Sequence, residues 1–153
     1  MADPRYVYVT YIRTTAEKLW QALLDPELTR LYWCDTRVDA DWKVGGAWTR
    51  KTPDGQLKDS GEILEIDPPK RLVMSWRNEF RPEIREEGFS RATYELEPQG
   101  DTVKLTIIHE FEKPDSKFLQ AVSGGWPLIL ASLKSLLETG EPLEQTRTWP
   151  PGK

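Results

Sequence analysis

Nucleophilic or general-base chemistry asks for an imidazole, a thiol or a close pair of carboxylates, and this 153-residue chain holds one histidine, His109, and one cysteine, Cys34. A single cysteine can form no internal disulfide, and one histidine cannot complete a Cys/His metal cluster, so neither a metal nor a cofactor is expected. Cys34 directly follows Trp33 and reads as a small buried hydrophobe rather than as a partner for His109. The adjacent acids Glu86 and Glu87 fall in a polar stretch and read as a solvated charge run. No Gly-x-Ser-x-Gly elbow, phosphate loop or dinucleotide fingerprint is present. No catalytic residue is assigned on these grounds, and an enzyme built on this chain would have to work through His109.

Tryptophan is the residue type in excess: seven of them, at positions 20, 33, 42, 48, 76, 126 and 149. Rings of that size either fill a core or line a pocket. The 21 basic residues are interleaved among 25 acidic ones for a net charge of −4, which leaves no basic stripe for a nucleic-acid partner. No run of about 18 apolar residues exists to insert in a membrane, and Met-Ala-Asp-Pro-Arg lacks the pattern of a secretory signal. A cytoplasmic, globular chain of 38% hydrophobic and 30% charged residues is expected.

The elements that must position these side chains follow from periodicity. Tyr6 to Ile12 is aromatic and β-branched and predicts a strand. Thr14-Thr15-Ala16-Glu17 has the spacing of a capping box with Thr14 as cap, and Leu19, Trp20, Leu23 and Leu24 give the helix after it one apolar face. Asp25-Pro26 ends that helix and opens a second, to about Tyr32. From Asp35 to Phe111 short strands alternate with turn signals: Ala47 to Thr52, Lys58 to Ile66, Arg71 to Asn78, Phe89 to Glu97 and Thr102 to Phe111. About seven strands in all are expected, consecutive and joined by short turns, hence antiparallel. The stretch 79–88 has no apolar period and reads as an exposed loop. Trp126, Ile129, Leu130, Leu133 and Leu137 then form one stripe of a helix from Trp126 to Thr139, with Phe118 and Val122 in a preceding turn broken at Gly124-Gly125. Residues 1–140 are read as one domain, and 141–153, carrying Pro142, Pro150 and Pro151, as a flexible tail apart from any docking by Trp149.

Strand parity sorts the inward side chains. Val103, Leu105, Ile107, His109 and Phe111 share one face; Ala92, Tyr94 and Leu96 go with them on the neighbouring strand, and Leu72, Met74 and Trp76 on the next. Trp48 aligns with Arg50 on the first hairpin, whereas the faces of Ile63, Leu64 and Ile66 stay unassigned. The aromatics either pack or contact a ligand. His109 is either a hydrogen-bonded core histidine or a polar handle on a cavity ligand. Arg50 either snorkels at a cavity mouth, the favoured reading, or anchors a ligand carboxylate.

A set of words in order carries a resemblance: Asp25-Pro26-Glu27-Leu28 leading to Tyr32-Trp33, Val44-Gly45-Gly46-Ala47-Trp48, Gly61 to Leu72, Tyr94-Glu95-Leu96-Glu97-Pro98, Leu105 to Phe111, and Gly125-Trp126. Over about residues 6–140 the chain resembles the SRPBCC superfamily, in particular bacterial proteins similar to the C-terminal domain of the Hsp90 ATPase activator Aha1. The resemblance implies an α+β helix-grip fold, shared with START domains and the birch-pollen allergen family, in which a curved antiparallel sheet wraps a long C-terminal helix. It also implies a cavity between the two that holds an apolar or amphipathic small molecule, lipid-like or aromatic. The residues expected to line it are Trp48, Arg50, Met74, Trp76, Tyr94, Ile107, His109, Trp126 and Leu130, with His109 facing the cavity. The resemblance leaves two alternatives: an interaction module for a chaperone partner in the stress response, and a small-molecule enzyme using His109. The co-chaperone carries an additional N-terminal domain for which this chain has no room, so Hsp90 stimulation is not expected of it.

Overall fold

The structure, a computed structural model, describes residues 5–111 and 116–148. Strand β1 (Arg5–Ile12) leads into helices α1 (Ala16–Leu24) and α2 (Pro26–Tyr32). The cap of α1 is Thr15 rather than Thr14: its hydroxyl accepts from the Lys18 amide at 3.2 Å. With lysine at the third helical position no carboxylate reaches back, so the expected capping box is replaced by a simple N-cap. Asp25 serves both helices, its amide closing α1 on the Gln21 carbonyl and its carboxylate accepting from the Glu27 amide at 2.8 Å.

Six further strands follow: β2 (Arg37–Ala40), β3 (Ala47–Lys51), β4 (Leu57–Asp67), β5 (Arg71–Asn78), β6 (Ser90–Gln99) and β7 (Thr102–Glu110). They form one curved antiparallel sheet in the order β1-β7-β6-β5-β4-β3-β2, with β1 and β2 at its edges. A bulge explains why β4 resisted assignment by parity. Ile63 pairs with Met74 and Glu65 with Val73, which leaves Leu64 as an extra residue that shifts the alternation beyond it. Gly61 is required by its neighbour. A Cβ there would meet the Ser75 carbonyl oxygen at 1.8 Å and Trp48 Nε1 at 2.5 Å, because the Trp48 indole crosses this position to donate to that carbonyl at 2.8 Å.

Two expectations about the helices change. The stretch 79–88 contains a short helix, α3 (Pro82–Arg85), whose Ile84 is fully buried, so it is pinned to the body instead of lying in solvent. Helix α4 (Lys117–Thr139) runs unbroken through Gly124, Gly125 and Pro127, from the Ser116 cap to Gly140 in the left-handed conformation at φ 90°. Two glycines and a proline cost a helix about 5 kcal/mol. Burying Phe118, Trp126, Ile129, Leu130 and Leu133 along one stripe returns roughly 7 to 15 kcal/mol, so tertiary packing overrides the local signal.

Beyond α4 the described part of the stretch expected to be a flexible tail, residues 141–148, contains a docked turn. Glu144–Thr146 form a 3-10 turn; the Thr146 side chain is fully buried against Ser132 Oγ at 2.5 Å, and its carbonyl accepts from the Cys34 amide at 2.7 Å. The docking proposed for Trp149 lies outside the described residues.

Candidate functional site

The inward sets of β3, β5, β6 and β7 are buried together under α4, as parity requires. At their centre stands a cluster of indoles. Trp76 touches Trp48 edge-on at 4.8 Å between ring centroids, and Trp33 lies 5.8 Å from Trp76 and 5.3 Å from Trp126. Trp33 was not among the expected site residues. It caps the end of α2, where no strand or helix period reports its direction, and Cys34 and Asp35 after it turn the chain with φ of 55° and 56°.

His109 is the most constrained polar group here. Trp126 Nε1 donates to its Nδ1 at 3.1 Å, and its Nε2 lies 2.6 Å from Ser90 Oγ, whose hydroxyl donates to the Trp76 carbonyl at 3.1 Å. An indole N–H can only donate, so Nδ1 must be the acceptor and Nε2 carries the proton. The whole relay is thereby determined, with both ring nitrogens in use. Burial lowers the His109 pKa to about 3, and a proton on Nδ1 would also confront the Trp126 N–H. The expectation of a cavity-facing His109 therefore gives way to a neutral core histidine that ties β7 and β6 to α4.

Arg50 corrects a second expectation, since it does not snorkel. Only 2% of it is exposed, and its guanidinium lies 3.7 Å over the Trp33 ring and within 6 Å of the Trp48 and Trp76 rings. Its counter-charge is Asp59, its cross-strand partner, at 3.4 Å from Nε. Nε and Nη1 complete no hydrogen bond, nor does Trp76 Nε1. Burial pushes the Asp59 carboxyl above its ordinary value, while the guanidinium and the Trp76 indole turned toward it pull the other way and lose. Burial likewise pushes the Cys34 thiol up, although the residue expected to be a small buried hydrophobe is only half-buried.

A cavity of about 180 Å³ opens between α4 and the neighbouring ends of β4 and β5. Asp59, Trp76 and Asn78 come from the sheet, Trp33 from the end of α2, Phe80 and Arg81 from the stretch before α3, and Phe118, Ala121, Val122, Gly125, Trp126 and Ile129 from α4. The exposed members, Arg81 and Ala121, mark its rim. Of the expected lining residues, Trp76 and Trp126 are on it. Trp48, Arg50, Met74, Tyr94, Ile107, His109 and Leu130 are packed in the core and are not part of its wall. Parity gives the face of the sheet but not where along the strands the helix stands off from it. The turn at Pro53-Asp54-Gly55 sets β3 against β4 with Lys51 opposite Leu57, and a register shift beside Lys51 then brings Asp59 instead of Lys58 opposite Arg50, a pairing that no single-strand pattern discloses. Gly125, taken as a helix break, leaves the wall open, since nothing lies within 4 Å of a Cβ built there.

A curved seven-stranded antiparallel sheet, two short helices after its first strand and a long C-terminal helix laid across its concave side define a helix-grip domain of the SRPBCC type. The model of the family described as Activator of Hsp90 ATPase homolog 1-like protein matches residues 13–138, and the chain belongs to that family. Among solved structures the chain is similar to protein MLL2253 from Mesorhizobium loti, at 25% identity and a TM-score of 0.75 over 88% of this chain and 97% of that one. It is similar in fold to CalU16 from Micromonospora echinospora, with 24% identity, TM-score 0.70, and 89% and 77% of the two chains covered. The Aha1 dimer from Colwellia psychrerythraea shares the fold at 18% identity, TM-score 0.72, over 90% and 98%. No curated protein matches the sequence. No helix among the described residues is long and apolar enough to cross a membrane.

Proposed function

We propose that the chain binds an apolar or amphipathic small molecule, lipid-like or aromatic, in the cavity between β4, β5 and α4. The observation that carries this reading is the wall itself: aromatic rings from the sheet, α2 and α4 converge on an open space with few polar groups, the usual composition of a small-molecule site. Its fold family commonly binds hydrophobic ligands, which supports the same reading. The space of about 180 Å³ suits a ligand of one or two rings, given that an apolar cavity of roughly 150 Å³ accepts benzene. The chaperone-partner reading draws only on the family description. The enzymatic reading through His109 has no free ring nitrogen to use.

Gly125→Leu tests the proposal without threatening the fold, because leucine is the better helix former by nearly 1 kcal/mol and meets nothing within the first 4 Å. Its side chain enters the cavity. An environment-sensitive apolar dye, followed through tryptophan emission, is expected to bind the unaltered chain and to lose at least tenfold in affinity for the variant. Equal affinity, with thermal stability retained, refutes a ligand site at this place.

A further inference from the structure

The polar end of the cavity is a cross-strand pair. Asp59 on β4 and Asn78 on β5 are opposite each other in the register, and both side chains reach the cavity wall. The two are unlike in what they offer. Asn78 Oδ1 is committed, accepting from the amides of Phe80 at 3.2 Å and Arg81 at 2.9 Å, and this fixes the orientation of the amide. Its Nδ2 donates to no group among the described residues, so the uncommitted end of Asn78 is a donor. Asp59 presents a carboxylate, an acceptor. Among the described residues its ion pair is the long contact with Arg50, and Arg50 Nε and Trp76 Nε1, though turned toward it, do not close to hydrogen-bond geometry.

Charge narrows the choice further. Arg50 and Asp59 balance each other beside the cavity, so the site asks for no net charge from a ligand. An anionic head would sit against the Asp59 carboxylate. A cationic head would compete with a guanidinium already held in a box of tryptophan rings, and would pass Arg81 at the rim. A neutral group that donates and accepts at one atom fits the pair.

Building on the proposed ligand site, we infer that the cavity selects neutral aromatic compounds bearing a hydroxyl, which donates to Asp59 and accepts from Asn78 Nδ2 while the ring packs against the indoles. Asp59 and Asn78 are thus the specificity-determining residues, and Arg50 acts through Asp59 as its counter-ion. A neutral hydroxyl-bearing ring is distinguished from its hydrocarbon because leaving the carboxylate and the amide unpaired beside an apolar ligand is costly.

The test is a series of ligands of one shape, measured by calorimetry and ligand-observed NMR at neutral pH: 4-ethylphenol, 4-ethylanisole, ethylbenzene and 4-ethylbenzoate. The phenol is expected to bind about tenfold or more tighter than ethylbenzene. The anisole, which accepts but cannot donate, should fall below the phenol, and the benzoate should bind worst. In Asn78→Asp, which keeps the Oδ1 acceptor and removes the donor, the preference for phenol over ethylbenzene should collapse. If that variant fails to unfold cooperatively, the series on the unaltered chain decides the same question. Equal binding of phenol and ethylbenzene, or tightest binding of the benzoate, overturns the inference and leaves the apolar site standing. Failure of every compound to bind overturns both. A phenol preference undiminished in a folded Asn78→Asp protein overturns the assignment to this pair.

Discussion

Replacing His109 by leucine separates its hydrogen bonds from its titration. At pH 7 the variant keeps most of the buried volume but leaves the Trp126 N–H without its acceptor, while Ser90 retains the Trp76 carbonyl. Orphaning one buried donor should cost about 1 to 3 kcal/mol. Acid changes the balance. In the folded chain the His109 pKa lies at about 3, whereas an unfolded histidine titrates near ~6.5. Between those values the unfolded chain takes up a proton that the folded chain refuses, so stability falls as pH falls below the unfolded pKa. Moving from pH 7 to pH 5 should remove about 2 kcal/mol from the parent through this group. The leucine variant has no such proton to bind. Asp59, whose folded pKa is raised, contributes in the opposite direction in acid, but it is common to both proteins and cancels in the comparison. Urea unfolding followed by tryptophan emission at pH 7, 6 and 5 should therefore show the gap between parent and variant shrinking by about 2 kcal/mol. Parallel pH profiles would refute the neutral, doubly bonded histidine, and a variant as stable as the parent at pH 7 would refute the relay.

Arg50→Met should destabilise by about 3 to 5 kcal/mol at neutral pH, because it leaves the Asp59 carboxylate buried without its counter-charge; the deficit should lessen in acid as that carboxyl takes up a proton, and calorimetric melting against pH checks it. Gly61→Ala would place a methyl 1.8 Å from the Ser75 carbonyl and should cost about 1 to 3 kcal/mol. Its lowered melting temperature should come with an altered Trp48 signal in near-ultraviolet dichroism. Ser132→Ala removes the acceptor of the Leu143 amide and the partner of Thr146. A loss of about 1 kcal/mol is expected, with faster proteolysis confined to residues 141–148.

The strands were legible because their periodicity is short-range: inward and outward alternation along β5, β6 and β7 is written residue by residue, and His109 could be placed on the inner face from its neighbours alone. The same holds for α2, where Asp25 and Pro26 supply cap and first turn locally. Leu64 marks the limit of such reading, since a bulge is a property of two paired strands and one strand's alternation does not disclose it. The course of α4 through Gly124 and Gly125 marks another, because the stripe that holds it straight is stabilised by a surface distant in sequence.

The candidate site divides in the same way. Residue type and spacing by themselves determined the order of elements and the inward aromatic face. Only the tertiary structure decided that His109 spends both nitrogens on Trp126 and Ser90, that Arg50 is neutralised by Asp59, and that the open space lies by Asp59 and Asn78 instead of beside His109. The reason is physical. A side chain's face is set by its own backbone, but whether the space beyond it is filled depends on how far α4 stands from the sheet, and that distance is fixed jointly by residues on α2, β4, β5 and α4 that no local pattern relates.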